Sequence, residues 1–276
     1  MKGKKWKHAA DRWLYEKSEK KSLGTDKGML AWIEPHWKES LLSDLTADRI
    51  RTLAEIKRSE TSGSTANRYL ALVKAILRTS TKWGWLERVP PIDLYSVSNR
   101  RIRWLTKDEA QALIDVLPED LRPVAAFALS TGLRRANVLG LEWSQVDIVR
   151  RVAWIHGTQS KSGKPIGVPL NETALDIIGR QKGIHETLVF PDREGKRRKR
   201  IDHKVWKKSL QAAGIEDFRW HDLRHTWASW HLQGGTPIHV LQELGGWHSY
   251  AMVHRYAHLA TEHLLPWAEN AAFRLR

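Results

Sequence analysis

From residue 103 onward, glycines cut the helical hydrophobic patterns of this chain into short pieces, and only two short stretches read as strands. Thr106-Lys107-Asp108-Glu109 forms a capping box that opens a helix through about Val116. Pro123 to Leu129 is an apolar helix that Gly132 stops, which leaves Arg134 at the start of the next short helix. Arg151 to Ile155 and Ile166 to Val168 have strand character, and Ser162-Gly163 supplies a turn between them, so Lys161 falls on or beside a hairpin tip. Asn171 caps a helix through Gln181, Ile201 to Ala213 ends at Gly214, His221 to Leu232 runs to Gly234-Gly235, and Pro237 to Leu244 breaks at Gly245-Gly246. The pattern predicts a mainly α fold (α+β), helical with a small β-sheet or hairpin.

The N-terminal part is helical too. Thr46 caps a helix from Ala47 to Lys57, and a second runs from about Ser64 to Trp83, with Tyr69, Leu70, Val73, Ile76 and Leu77 as one buried stripe. Arg68, Lys74, Arg78 and Lys82 are interspersed with that stripe, either as a solvated face or as contacts to a phosphate backbone. Pro90-Pro91 and the polar run Ser96 to Arg101 lack periodicity and disfavour helix. The expected organisation is therefore a helical domain over 1–98, a linker over 99–104 and a second domain over 105–276. Arg193 to Arg200, with six basic residues, is expected to be a flexible solvated loop.

The charge narrows the partner. With 46 Lys and Arg against 31 Asp and Glu, the net charge of +15 favours a polyanion, with nucleic acid ahead of an anionic membrane surface. No apolar run reaches the roughly 18 residues of a membrane span, and no secretory signal follows Lys2, Lys4 and Lys5, so a cytoplasmic protein is expected. Cysteine is absent, which removes disulfides, zinc thiolates and thiol nucleophiles. Among the 15 tryptophans, Trp83, Trp85, Trp220, Trp227 and Trp230 sit inside helical patterns, where core packing explains them better than base stacking.

The chemistry-bearing residues fall in the later part of the chain. They are Arg134 in Thr131-Gly-Leu-Arg134, His221 and Arg224 in His221-Asp-Leu-Arg224, then Trp247, and Tyr256 nine residues after it. Two guanidiniums, a histidine, an indole N–H and a phenol make a poor metal site and a good phosphodiester site, since Arg presents planar forks that match phosphate oxygens. The i, i+4 pairs His221 with His225 and His254 with His258 have metal spacing, but the accompanying carboxylates are missing, so no metal is expected.

In order and spacing, residues 103 to 260 resemble the tyrosine recombinase (phage integrase) family, whose pattern is Arg after Thr-Gly, a hairpin Lys, His-x-x-Arg, a His or Trp, and a Tyr. The resemblance implies a site-specific DNA recombinase, built as a clamp with a small helical DNA-binding domain (SAM-like) and a catalytic domain. Its activity would cleave and rejoin duplex DNA through a 3′-phosphotyrosyl intermediate, with no cofactor and no metal. On that resemblance Tyr256 is the nucleophile, Arg134 and Arg224 clamp the nonbridging oxygens, and His221 accepts a proton or donates to phosphate. Lys161 is the general acid in preference to its neighbour Lys164. Trp247 donates to phosphate unless a register shift of one brings His248 there instead.

The family likeness also implies a homotetramer on paired DNA sites, with room for accessory DNA-bending proteins. The final segment Thr261 to Phe273 would then dock on a neighbour or fold back on its own domain, and no separate arm-site domain is expected at the N-terminus. One departure stands out: where the family has Glu or Asp, three residues after the first arginine, this chain has Asn137. A DNA-binding relative with an impaired site, a type IB topoisomerase-like enzyme and a metal-dependent nuclease are the competing readings.

Overall fold

A computed structural model describes residues 3–97, 102–159, 163–256 and 268–273. The chain divides into two compact units, residues 1–99 and 100–276. Among the described residues the first holds four α-helices, α1 (Trp6–Glu16), α2 (Leu23–Trp37), α3 (Ala47–Glu60) and α4 (Gly63–Lys82). Side-chain caps start the last two: Thr46 accepts from the Arg49 amide and Ser62 from the Thr65 amide. Helix α4 packs on α1 and α3. It buries Ala66, Leu70, Val73, Ile76 and Leu77 and leaves Tyr69 only partly covered, close to the expected stripe. Trp6 and Trp37 meet edge to face in this core, 5.3 Å between ring centroids. On the other side of α4, Arg68, Arg78 and Lys82 are exposed and Lys74 is half-buried.

The segment after α4 is packed rather than loose. Ile92 is buried against the first core, and the Asn67 side chain clasps Tyr95, its Nδ2 donating to the Tyr95 carbonyl (2.9 Å) and its Oδ1 accepting from the Tyr95 amide (2.8 Å). A backbone amide and carbonyl satisfied by one amide side chain leave no periodic pattern, so the sequence shows only that helix is disfavoured here.

The second unit is helical around a small sheet. Its elements are α5 (Lys107–Val116), α6 (Arg122–Thr131), α7 (Arg135–Leu139), β1 (Val146–Asp147), β2 (Val152–Ile155), β3 (Ile166–Pro169), α8 (Glu172–Gln181), α9 (His203–Ala212), α10 (Asp222–Gln233), α11 (Ile238–Gly245) and α12 (Tyr250–His254). The capping box at Thr106 and Glu109 and the cap at Asn171 form as the sequence predicts. The sheet runs β1-β2-β3, antiparallel throughout, with Trp154 opposite Gly167 and Ile155 opposite Ile166. Strand β1 is not foreseen by the sequence pattern, since two residues offer no alternation to read. Helix α6 lies at the centre, between α8 and α10, with Phe127 and Ala125 fully buried. Trp220 and Trp227 are core residues, and Trp230 packs partly buried beside them.

The basic run Arg193 to Arg200 is exposed to solvent as expected except at Arg198, but Asp120 ties it down. Arg193 donates twice to Asp120 Oδ1 (3.0 and 2.8 Å) and Arg198, whose side chain is 12% exposed, donates to Asp120 Oδ2 (2.7 Å). A bridge between Pro191 and Arg197 closes the turn. Near the end of the chain, residues 269–271 form a single 3-10 turn and residues 268–273 are exposed, while most of the segment Thr261 to Phe273 lies outside the described residues.

Candidate active site

Helix α6 ends at Gly132, which has φ +63° and so turns the chain with a conformation that favours glycine. A Cβ there would also lie 2.2 Å from the Trp227 ring, so two independent constraints demand glycine. The turn delivers Arg134 to the N-cap position of α7, half-buried, and burial lowers its pKa.

Arg224, on the first turn of α10, is 5% exposed and directs both ends of its fork at backbone carbonyls: Nη1 donates to Gly132 O (2.6 Å) and Nη2 to Gly245 O (2.5 Å). These carbonyls close helices α6 and α11, where unpaired C=O groups and the helix dipole present negative charge. Two helix ends thus converge on one guanidinium and fix its plane. The Trp247 ring covers it at 4.2 Å, and Gly245 permits that approach, since a Cβ there would meet the ring at 2.0 Å. Burial, and then the nearby charge of Arg134, bring the Arg224 pKa down to about 10, against the influence of Tyr256. It is still a cation at neutral pH, and it neighbours a second one.

His221 is the residue before α10 and is exposed to solvent on one side, while its ring meets that of His225 on the other. Partial burial and the charge of Arg224 lower its pKa below the usual histidine value, with Asp222 opposing and Arg134 and Arg255 adding to the effect. Trp247 is buried against Trp227 and Tyr256, each 5.9 Å between centroids, whereas His248 is exposed, so the indole and not the imidazole faces Arg224.

Tyr256 follows α12 and is 2% exposed. Its hydroxyl lies 2.5 Å from His225 Nδ1, and burial pushes the phenol pKa up to about 12 although Arg224 and Arg255 pull the other way. His225 is the residue that motif reading passes over. Its position directly after Arg224 and one helical turn after His221 is available as a signal, but it suggests only metal spacing. No group of three His, Cys, Asp or Glu residues able to hold a metal occurs among the described residues.

The structure therefore brings Arg134, His221, Arg224, Trp247 and Tyr256 into one cluster. Lys161 lies outside the described residues, as does His258, while the strands flanking the hairpin pair as expected. Asn137 is buried on α7, and its Nδ2 has no hydrogen-bond partner among the described residues.

A mostly helical unit with a three-stranded sheet and two cationic forks beside a phenol defines a phosphodiester-handling protein. The phage integrase family model matches residues 103–263. The chain is 42% identical to the integrase of Salmonella phage P22, over 93% of this chain and 76% of the relative. Among solved structures, the lambda integrase tetramer bound to a Holliday junction superposes with a TM-score of 0.77 at 19% identity, covering 92% of this chain and 78% of that one. The Tn1549 transposon integrase in complex with transposon right end DNA superposes with a TM-score of 0.79 at 14% identity, covering 96% and 100%. The chain belongs to the phage integrase family of tyrosine recombinases, enzymes of site-specific DNA recombination that break and rejoin DNA.

Proposed function

We propose that Tyr256 attacks a phosphodiester of duplex DNA to give a 3′-phosphotyrosyl intermediate, with Arg134 and Arg224 clamping the nonbridging oxygens. The observation that carries this reading is Arg224 itself, a buried cation whose hydrogen bonds among the described residues go to carbonyls rather than to a carboxylate, and which feels both Arg134 and Tyr256. A guanidinium held this way has its charge unneutralised until an anion arrives, and charge that grows on the phosphate oxygens in the transition state is what it stabilises. Trp247 supports the clamp from one side, and His221, at the solvent edge, accepts a proton or donates a hydrogen bond to the phosphate. Lys161 protonates the departing 5′ oxygen, as its place in the hairpin suggests. Because the tyrosyl ester conserves the energy of the broken bond, no metal or cofactor is needed to rejoin it.

In the free protein the phenol is covered, so DNA binding must turn it toward the phosphate. The exposed cations Arg68, Arg78 and Lys82 of α4, with Lys74, contribute backbone contacts that carry no sequence information. The protein acts as a tetramer on paired sites, as the lambda integrase does on a Holliday junction, with accessory DNA-bending proteins as further partners in the cytoplasm. Strand exchange, rather than relaxation by a monomer, is the outcome that the phage relative favours.

The test starts from a pool of random nicked duplexes from which the wild-type chain captures its own substrate covalently in the presence of chelator. Adduct formation by the wild type, abolished in Tyr256→Phe with DNA affinity retained, is expected. Adducts of undiminished yield with Tyr256→Phe would assign the nucleophile elsewhere.

A further inference from the structure

The Tyr256 hydroxyl must lose a proton to become a phosphoester, and the family resemblance makes His221 one candidate to accept it. His221, the histidine of the His-x-x-Arg motif, is exposed at the start of α10, and its ring meets His225 edge-on, 5.1 Å between centroids. Among the described residues, the imidazole in contact with the phenol is that of His225, whose Nδ1 lies 2.5 Å from Tyr256 Oη. This residue is 8% exposed, and its backbone carbonyl accepts a hydrogen bond from the Ser229 hydroxyl one turn on (2.9 Å). Arg224 and His225 are consecutive, so the anchor for the phosphate and the acceptor for the proton share one helical turn. A phenol that swings toward an ester held by Arg224 leaves from His225.

We propose that His225 is a catalytic residue of the cleavage step. As the Tyr256 oxygen forms its bond to phosphorus, the phenol proton passes to His225 Nδ1, the bond from phosphorus to the 5′ oxygen breaks, and that oxygen takes a proton from a cationic side chain of the site. On rejoining, the 5′ hydroxyl returns its proton to the side chain that supplied it as it attacks phosphorus, the bond from phosphorus to the tyrosine oxygen breaks, and that oxygen takes its proton from His225. This rests on Tyr256 being the nucleophile.

Among the described residues, the charged groups that influence His225 are His221 just before α10, Asp222 and Arg224 on it, and Arg255 beside Tyr256, whose phenol contacts the ring. Burial first, and then His221, bring the His225 pKa down to about 4, so the ring is neutral at physiological pH and can accept a proton. A base this weak does not ionise the phenol in advance, so proton transfer accompanies attack rather than preceding it.

The experiment uses the full chain and the suicide duplex captured by the wild type, with Tyr256→Phe run in parallel. His225→Asn places an oxygen near the Nδ1 position, which accepts a hydrogen bond but takes no proton. Expected are DNA affinity within about threefold of wild type and cleavage slowed on the order of a hundredfold or more. That deficit should shrink as pH rises, and 3,5-difluorotyrosine at position 256 should restore much of the loss in the variant while changing the wild type little. Cleavage within about threefold of wild type, or a deficit indifferent to both pH and phenol acidity, would overturn the proposal. Should the variant not fold, difluorotyrosine in the wild-type chain decides alone: a weak dependence on phenol acidity is expected, and a steep one, as from a preformed phenolate, refutes it. An adduct that survives Tyr256→Phe would instead refute the nucleophile, a result separable from any behaviour of His225.

Discussion

Substituting Gly132 with alanine should damage both stability and cleavage, and the structure sets the size of the effect. The residue has φ +63°, and placing an L side chain in that region costs about 1–2 kcal/mol. The new methyl would lie 2.2 Å from the Trp227 ring, well inside van der Waals contact, so the ring or the turn must move. Forcing an extra carbon into a packed core costs typically about 1–3 kcal/mol, which brings the total to about 2–5 kcal/mol. Gly214 supplies the control in the same unit, because it has φ +67° and an added Cβ would meet nothing within 4 Å, so Gly214→Ala should cost only the backbone part. Guanidinium unfolding followed by tryptophan fluorescence reads both variants. Since the Gly132 carbonyl holds Arg224 Nη1, cleavage by Gly132→Ala should also fall, under conditions where the variant is fully folded. Equal destabilisation by the two substitutions would show that the Trp227 contact imposes no constraint, and wild-type cleavage in Gly132→Ala would show that the carbonyl does not position Arg224.

Arg134→Lys and Arg224→Lys should each slow adduct formation on the order of a hundredfold or more, since an ammonium cannot reproduce a planar fork; single-turnover rates near wild type would remove that arginine from the site. Lys at 224 can reach only one of the two carbonyls, so its variant should also melt lower than the Arg134 variant. Asp120→Asn should destabilise the second unit by about 1–3 kcal/mol at pH 7, since it weakens the anchors of Arg193 and Arg198. Although burial opposes it, hydrogen bonds from Arg198 and then Arg193 hold the Asp120 carboxyl below its ordinary value of 3.8. Its folded pKa being depressed, its contribution is complete above about pH 4–5 and fades as pH falls through the lower folded value, so the gap between variant and wild type in denaturant titrations should close in acid. DNA affinity should drop steeply between about 50 and 200 mM salt, and a flat titration would count against many phosphate contacts.

Much of the fold was legible because its signals are local. Caps at Thr46, Thr106 and Asn171 and the stop at Gly132 are written within a few consecutive residues, and all of them form. The sites that escaped reading share a different property. Asp120 lies 78 residues from Arg198, and the basic run near Arg198 looks solvated until the chain returns to it. Tyr95 is clasped by Asn67 from 28 residues away, a docking that the aperiodic stretch after Pro90-Pro91 does not announce.

The amino-acid sequence by itself determined the family, the order of the chemical groups and their helical setting, since a motif such as Thr-Gly-Leu-Arg or His-x-x-Arg is complete within one turn of chain. Only the tertiary structure decided what holds those groups. Arg224 takes the carbonyl of Gly132 across 92 residues, and Tyr256 rests on His225 across 31. Such contacts leave no period or spacing in the sequence, because they depend on how helix ends and side chains meet after the core has packed.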